Sequence, residues 1–310
     1  MTHFEALLTF SRQLGVVVGV TCAVSAATAL AQPVDMPPAA VDRLPQGILD
    51  QMTDSTKAIG FPGLSWRGAV VTVAFNGGDP SIYPLIQAAA DEWTSQGGRL
   101  KFSFKRVDGT WRTWSENDLS SSADIRIGFF TDPKRDGYWS TVGVLAKRIT
   151  AGEPTMNFAD LGTRLVRFAD GRHAAEWRNS YSHSVVLHEF GHALGLNHEH
   201  FHPTCQADLD LQDAVYWYMG PPNRWTYQQA LFNMDWPTYF NAMRGQAGAS
   251  DISMSASADR SSVMLYSFKD EFYKSGAASP CRPAGPNRYA TVLSPQDRAY
   301  YAANYGTGAQ

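Results

Sequence analysis

The stretch Val186-Leu-His-Glu-Phe-Gly-His-Ala-Leu-Gly-Leu-Asn-His-Glu-His200 contains the pattern H-E-x-x-H-x-x-G-x-x-H. His188 and His192 are four positions apart, so on a helix they lie on one face about 5.4 Å, one turn, apart. Two imidazoles at this spacing can reach a single Zn²⁺ at about 2.0–2.1 Å each. Composition gives the whole pattern a chance expectation on the order of 10⁻⁵ per chain. The stretch therefore predicts a metal-binding helix rather than a helix with packed or solvated histidines.

The residues around this helix complete the predicted site. Gly195 can take the left-handed conformation that ends a helix without a Cβ penalty, after which the chain brings His198 to the same ion. Three neutral nitrogen ligands leave a fourth position for water, which is typical of a catalytic zinc site. Glu189 follows the first ligand by one residue, so we expect its carboxylate beside that water. An intact zinc site without turnover is the alternative.

A second motif resembles the methionine turn of the metzincin metallopeptidases, whose extended zinc motif is the one quoted above. Ser262-Val-Met-Leu-Tyr266 fits that turn, with Met264 as its methionine. Within the clan the chain looks most like the astacins, in which Glu follows the third histidine, as Glu199 does here, and the turn reads S-x-M-x-Y. Leu265 departs from the histidine usual there. Leu293-Ser-Pro-Gln-Asp297 also resembles the end of such domains.

Two other branches resemble the chain less. The matrixins have similar sequences in the early strands, notably at Ala123-Asp-Ile-Arg-Ile-Gly-Phe129. Their segment between the zinc motif and the methionine turn is typically shorter. The serralysins usually have proline where this chain has Glu199, and no calcium repeats follow here.

The resemblance implies roles for individual residues. Glu189 acts as general base, Tyr266 ligates zinc at rest and stabilises the oxyanion, and Met264 lies beneath the metal without binding it. In astacins the residue at Glu199 meets the new N-terminus after a pro-segment is removed. The alternatives are a packed aromatic for Tyr266, a core methionine for Met264 and a surface glutamate for Glu199. Thr155, Met156, Asn157 and Phe158 are expected to form the cleft-edge strand that pairs with an extended substrate.

The N-terminus predicts an export signal. An apolar run from Leu14 to about Leu30 follows Arg12, and Ala29-Leu-Ala31 has the small-x-small form that signal peptidase requires. We interpret residues 1–31 as a cleaved signal peptide rather than an uncleaved anchor, and residues 32–65 as a Pro-rich leader or pro-segment. Residues 66–305 are then the catalytic domain and 306–310 a tail. The protein is expected to be secreted or periplasmic, with no stable membrane association after signal cleavage.

Two cysteines, Cys205 and Cys281, remain after removal of the signal. In an oxidising compartment an even pair predicts a disulfide, and two unpaired, buried thiols are the alternative.

Charge and composition exclude other classes of protein. Lys plus Arg is 26 and Asp plus Glu is 29, a net charge of −3, which argues against nucleic-acid binding and a polybasic membrane surface. The 44% hydrophobic and 18% charged content argues for a folded chain.

Periodicity predicts strands at 69–75, 100–104, 124–130 and 155–158, and a helix at 81–96, all before the zinc helix at 182–194. Short helices are predicted at 208–219, 226–234 and 237–243, and a last one at 295–305 that Ser294 caps. The expected fold is therefore α+β, with a twisted mixed sheet and helices in an upper lobe and an irregular helical lower lobe.

These observations predict a monomeric, secreted zinc endopeptidase that binds one Zn²⁺ and cleaves extended polypeptides. Two alternatives remain: a non-catalytic zinc-bearing module that binds protein, and a zinc hydrolase acting on a non-peptide amide.

Overall fold

Five strands form one mixed sheet in the part of the chain described by the structure, a computed structural model that describes residues 60, 62–221, 223–243 and 254–307. The predicted signal peptide and most of the predicted leader lie outside these residues. The strands are β1 (Val70–Asn76), β2 (Lys101–Ser103), β3 (Ile125–Gly128), β4 (Tyr138–Ser140) and β5 (Met156–Phe158).

The strand order is β2-β1-β3-β5-β4, and only the β4–β5 pair is antiparallel. Met156 of β5 pairs with Ile127 of β3 on one side and with Ser140 of β4 on the other. The prediction that Thr155, Met156, Asn157 and Phe158 form the edge strand is therefore wrong, because both sides of β5 are hydrogen-bonded within the sheet. β4 occupies the edge instead.

The helices separate into two sets along the chain. Before and including the zinc helix, they are α1 (Tyr83–Thr94), α2 (Leu161–Arg164), α3 (Ala174–Arg178) and α4 (Tyr181–Ala193). After it come α5 (Pro203–Asp208), α6 (Leu211–Met219), α7 (Tyr227–Met234), α8 (Trp236–Met243) and α9 (Pro295–Tyr305). The α+β prediction is confirmed: sheet and helices precede the zinc motif, and helices and irregular chain follow it.

Two tryptophans attach the zinc helix α4 to the rest of the main core. The indole N–H of Trp93, in α1, donates to the Leu187 carbonyl at 3.0 Å. The indole N–H of Trp66 donates to the Ala193 carbonyl at 2.6 Å, at the end of α4. Both side chains are buried with the sheet residues of the same cluster. Leu64 and Ser65 are also buried, so tight packing begins before Trp66, the predicted start of the catalytic domain.

A buried arginine holds the loops that lead into β5. Arg126, in β3, is 0% exposed and donates to four backbone carbonyls and one hydroxyl. The acceptors are the carbonyls of Ala123, Ile149, Thr150 and Glu153 and the hydroxyl of Ser121. A guanidinium has five N–H groups in a rigid fork, so it can satisfy several carbonyls at once.

Beyond the zinc motif a second core forms around a disulfide. Cys205, in α5, is bonded to Cys281, and both are buried with residues of α6, α7 and the chain near Phe268. The predicted disulfide is thus confirmed. Among the described residues, no helix has the length and apolarity needed to cross a bilayer.

Candidate metal centre and active site

The zinc helix α4 has defined ends. The Ser180 side chain accepts a hydrogen bond from the His183 N–H at 3.1 Å, which caps the first turn. At the other end Gly195 has φ 100°, the left-handed region expected for it. The Gly195 N–H donates to His192 O at 2.8 Å and the Leu196 N–H to Gly191 O at 3.0 Å, the two bonds of a Schellman motif. This ending turns the chain sharply enough to bring His198 back to α4.

The three predicted ligands converge. Nε2 of His192 lies 3.1 Å from Nε2 of His188 and 3.2 Å from Nε2 of His198. Nitrogens bound tetrahedrally to one zinc at 2.0–2.1 Å would lie about 3.3 Å apart. The three ligand atoms lie within 4.8 Å of one another, and all three side chains are buried. The donor set therefore fits one zinc ion, and the predicted cofactor is confirmed.

Backbone carbonyls orient two of these imidazoles. Nδ1 of His188 lies 2.7 Å from Val263 O, and Nδ1 of His192 lies 2.7 Å from Leu196 O. A carbonyl can only accept, so each Nδ1 carries the proton and each Nε2 presents its lone pair to the metal position.

The methionine turn lies directly beneath α4. The Met264 N–H donates to the Ser262 hydroxyl at 3.0 Å, and the Glu199 N–H donates to Met264 O at 2.9 Å. A Cβ on Gly191 would lie 2.4 Å from the Met264 sulfur, so the helix and the turn are in close contact there. The Tyr266 ring lies with its centroid 4.3 Å from that of His198.

Glu189 is fully buried on α4, immediately after His188. Because successive helical residues point about 100° apart, its carboxylate leaves the helix in a direction different from that of the two ligands. Next to His188 lies a cleft that is lined by Tyr181, Val185, Tyr266, Arg288 and Tyr289 among others. The site thus combines three nitrogen donors, a buried carboxylate and an adjoining space.

Glu199 lies near two other acidic residues, Asp259 and Asp297. Its carboxylate accepts the Asp259 N–H at 2.8 Å and lines an open cavity together with Gly60, Ser255, Asp297 and Tyr300. Burial raises the pKa of Glu199 to about 7, and the charges of Asp259 and Asp297 act in the same direction. Burial also raises the pKa of Asp297. No arginine or lysine among the described residues forms an ion pair with these three acids.

The other histidines near the motif lie outside the ligand cluster and have hydrogen-bond partners. Nε2 of His183 is 2.9 Å from Glu92, Nε2 of His200 is 2.8 Å from Asn233 O, and Nε2 of His202 is 3.2 Å from Ser255 O. Gly191 and Asp297 also contact the methionine turn, and no local pattern predicts these contacts, because they depend on residues far away in the chain. A weak signal for Asp297 was present, since the segment ending in it resembles the end of metzincin domains.

Comparison with known proteins finds the following similarities. The Matrixin family model matches residues 79–205. A solved structure of myroilysin is 27% identical, covering 79% of this chain and 97% of its own, with a TM-score of 0.55. A hatching enzyme zinc-protease from Oryzias latipes (Medaka fish) is 16% identical over 77% of this chain and 92% of its own, with a TM-score of 0.41. No curated protein matches the chain.

Proposed function

We propose that the chain, a zinc peptidase of the metzincin type, is an exported endopeptidase that cleaves extended polypeptides with Glu189 as general base. The observation that carries the proposal is the convergence of three histidines, with Nε2 of His192 3.1 Å from that of His188 and 3.2 Å from that of His198, next to a helix position occupied by the fully buried Glu189. A purely structural zinc site uses four protein ligands, whereas the described residues offer three clustered histidines here.

The chemistry divides between the metal and the chain. Zinc, when bound by His188, His192 and His198, supplies a Lewis acid that polarises the scissile carbonyl and acidifies water. Glu189 would take the proton of the attacking water at a carboxylate oxygen and return it to the leaving amine nitrogen. Tyr266 would donate a hydrogen bond from its phenol O–H to the developing oxyanion. Met264 supports the floor of the site from below.

Within the metzincins we propose an astacin-like enzyme. The Matrixin match ends at residue 205, before the methionine turn, so it does not sample Met264 and Tyr266. The S-x-M-x-Y turn and Glu199 favour the astacin-like assignment, while Leu265 departs from it.

We also propose that the leader is removed and that Glu199 receives the new N-terminus, as in astacins. Two buried or largely buried acids, Glu199 and Asp297, line a cavity that Gly60 also lines, which suits a terminal ammonium supplied from that end of the chain. Because Leu64 and Trp66 are packed into the core, cleavage is expected before Leu64. Active secreted protein that still begins at Gln32 would contradict this proposal.

Substrate would pair with the sheet at β4 rather than at β5. β4 is hydrogen-bonded to β5 on one side and packs against the zinc helix α4. An extended peptide added antiparallel to β4 would therefore run past the metal position.

Export is supported by the signal-like N-terminus and by the disulfide. Such bonds form and persist in oxidising compartments, so Cys205–Cys281 suits a secreted or periplasmic protein.

One experiment tests the activity. Zinc-loaded mature protein, Glu189→Gln and the exposed-glutamate control Glu271→Gln are each incubated with a proteome-derived peptide library, with and without chelator. We expect wild type and Glu271→Gln to cut, and Glu189→Gln to be slower by about 10²–10⁴-fold, the usual contribution of a general base. Zinc-loaded wild type that cuts no peptide would favour a binding module, and hydrolysis of small amides alone would favour a non-peptide hydrolase.

A further inference from the structure

We propose that Asp297 is a positioning residue for the zinc ligand His188, acting through the backbone of the methionine turn. The inference rests on the proposed function only through its zinc site, and Asp297 touches neither the metal position nor a substrate.

The Asp297 carboxylate joins the last helix to that turn. Oδ1 accepts the Ser262 hydroxyl at 2.7 Å, and Oδ2 accepts the Val263 N–H at 3.1 Å. Oδ2 also accepts the Ser294 N–H at 2.9 Å, which completes the capping box of α9. Asp297 is 2% exposed, so water cannot readily replace these bonds.

The methionine turn connects the Asp297 carboxylate to the metal ligand His188. Val263 donates its N–H to Asp297, and its carbonyl accepts from Nδ1 of His188 at 2.7 Å. The Ser262 hydroxyl, itself held by Oδ1, accepts the Met264 N–H at 3.0 Å. The carboxylate thus fixes the two peptide groups around Val263, and with them the direction of the carbonyl that orients His188.

The contact requires an acceptor oxygen and does not require its charge. An amide at position 297 can keep its oxygen on the Val263 and Ser294 N–H groups and turn its NH₂ towards the Ser262 hydroxyl, which can accept. Alanine leaves all three donors without a partner. Loss of partners that orient a metal ligand typically costs about 10–100-fold in metal affinity or activity.

The test measures zinc affinity of the full mature chain by competition with a chelator, and the Nδ1–H signal of His188 by NMR of the zinc-free protein. We expect Asp297→Ala to weaken zinc binding by about 10–100-fold and to broaden or shift the His188 signal. Asp297→Asn, the conservative rescue, is expected to stay within a few-fold of wild type.

Ser294→Ala is the matched control. Ser294 caps the same helix through its hydroxyl, which accepts the Asp297 N–H at 3.0 Å, but its loss leaves the bonds from Asp297 to the turn in place. We expect it to reduce thermal stability without changing zinc affinity. If Asp297→Ala does not fold, Ser262→Ala takes its place, because it removes one bond from Asp297 to the turn and the acceptor of the Met264 N–H.

The inference is overturned if Asp297→Ala, or Ser262→Ala in its place, binds zinc like wild type. It is also overturned if Asp297→Asn is as weak as Asp297→Ala, or if Ser294→Ala weakens zinc binding equally. Wild type that binds no zinc in the same titration would instead refute the proposed function.

Discussion

At the scale of single residues, Tyr266 occupies a position suited to a transition-state role. Its ring packs beside His198 and lines the cleft that also contains His188. We expect Tyr266→Phe to lower kcat by about 10²–10³-fold, the usual cost of losing one oxyanion donor, with bound zinc unchanged. Steady-state kinetics with metal analysis checks this. A variant as fast as wild type would leave Tyr266 as a packing residue.

Gly191 tests the contact between the zinc helix and the methionine turn. We expect Gly191→Ala to lower the free energy of unfolding by about 1–3 kcal/mol, because the added methyl overlaps the buried Met264 sulfur. Gly68→Ala is the control, since a Cβ there meets nothing closer than 3.6 Å. In chemical denaturation, the double variant Gly191→Ala, Met264→Ala should lose less free energy of unfolding than the two single variants lose together. Strict additivity would show that the two residues do not clash.

The ligand set could be predicted from sequence because its determinants are local. His188 and His192 share a helix face, and Gly195 ends that helix, so the convergence of all three imidazoles follows from a few neighbouring positions. The partner of His188 could not be predicted in the same way. Val263 and Asp297 reach it only through tertiary packing, and no local pattern specifies which carbonyl a buried imidazole will meet.

At the scale of elements, the N-cap of α4 should contribute to stability rather than to chemistry. Loss of its side chain leaves the His183 N–H without its acceptor. We therefore expect Ser180→Ala to cost about 1 kcal/mol of unfolding free energy, while kcat per folded molecule is unchanged. Ser95→Ala, on an exposed helix end, should stay within about 0.5 kcal/mol of wild type. A loss of kcat in Ser180→Ala would instead link this cap to the metal centre.

The sequence predicts the long helices well, but it does not predict the order of the strands in the sheet. The helix predicted at 182–194 is observed at Tyr181–Ala193, and the last helix at Pro295–Tyr305 has the predicted Ser294 cap. β4 was not predicted, because the residues around Tyr138–Ser140 show no alternation of apolar and polar side chains. Without it, β5 was assigned to the edge, because strand position depends on pairing partners that lie elsewhere in the chain.

At the scale of the whole molecule, zinc should add to the stability of the fold. A ligand that binds only the folded state at 1,000 times its dissociation constant adds about 4 kcal/mol. Chelation should therefore lower Tm, and added zinc should restore it. His192→Gln, which lacks one ligand, should show a much smaller response. Equal melting with and without chelator in wild type would contradict metal binding by these histidines.

The disulfide should stabilise the second core. It joins residues 76 positions apart, so its removal is expected to cost about 4 kcal/mol through the entropy of the unfolded chain. Cys205→Ala combined with Cys281→Ala should show this loss in chemical denaturation. Reductant should destabilise wild type and leave the double variant unaffected. Wild type that is insensitive to reductant while unfolded would argue against the bond.

The contacts of Arg126 bear on whether the loops before β5 need calcium to stay ordered. Its guanidinium gathers four carbonyls and a hydroxyl from the loops before β5, an oxygen-rich cage of the kind that calcium fills in many exported proteins. Here the positive charge is covalently attached and cannot diffuse away. The order of these loops should therefore persist where free calcium is scarce or sequestered.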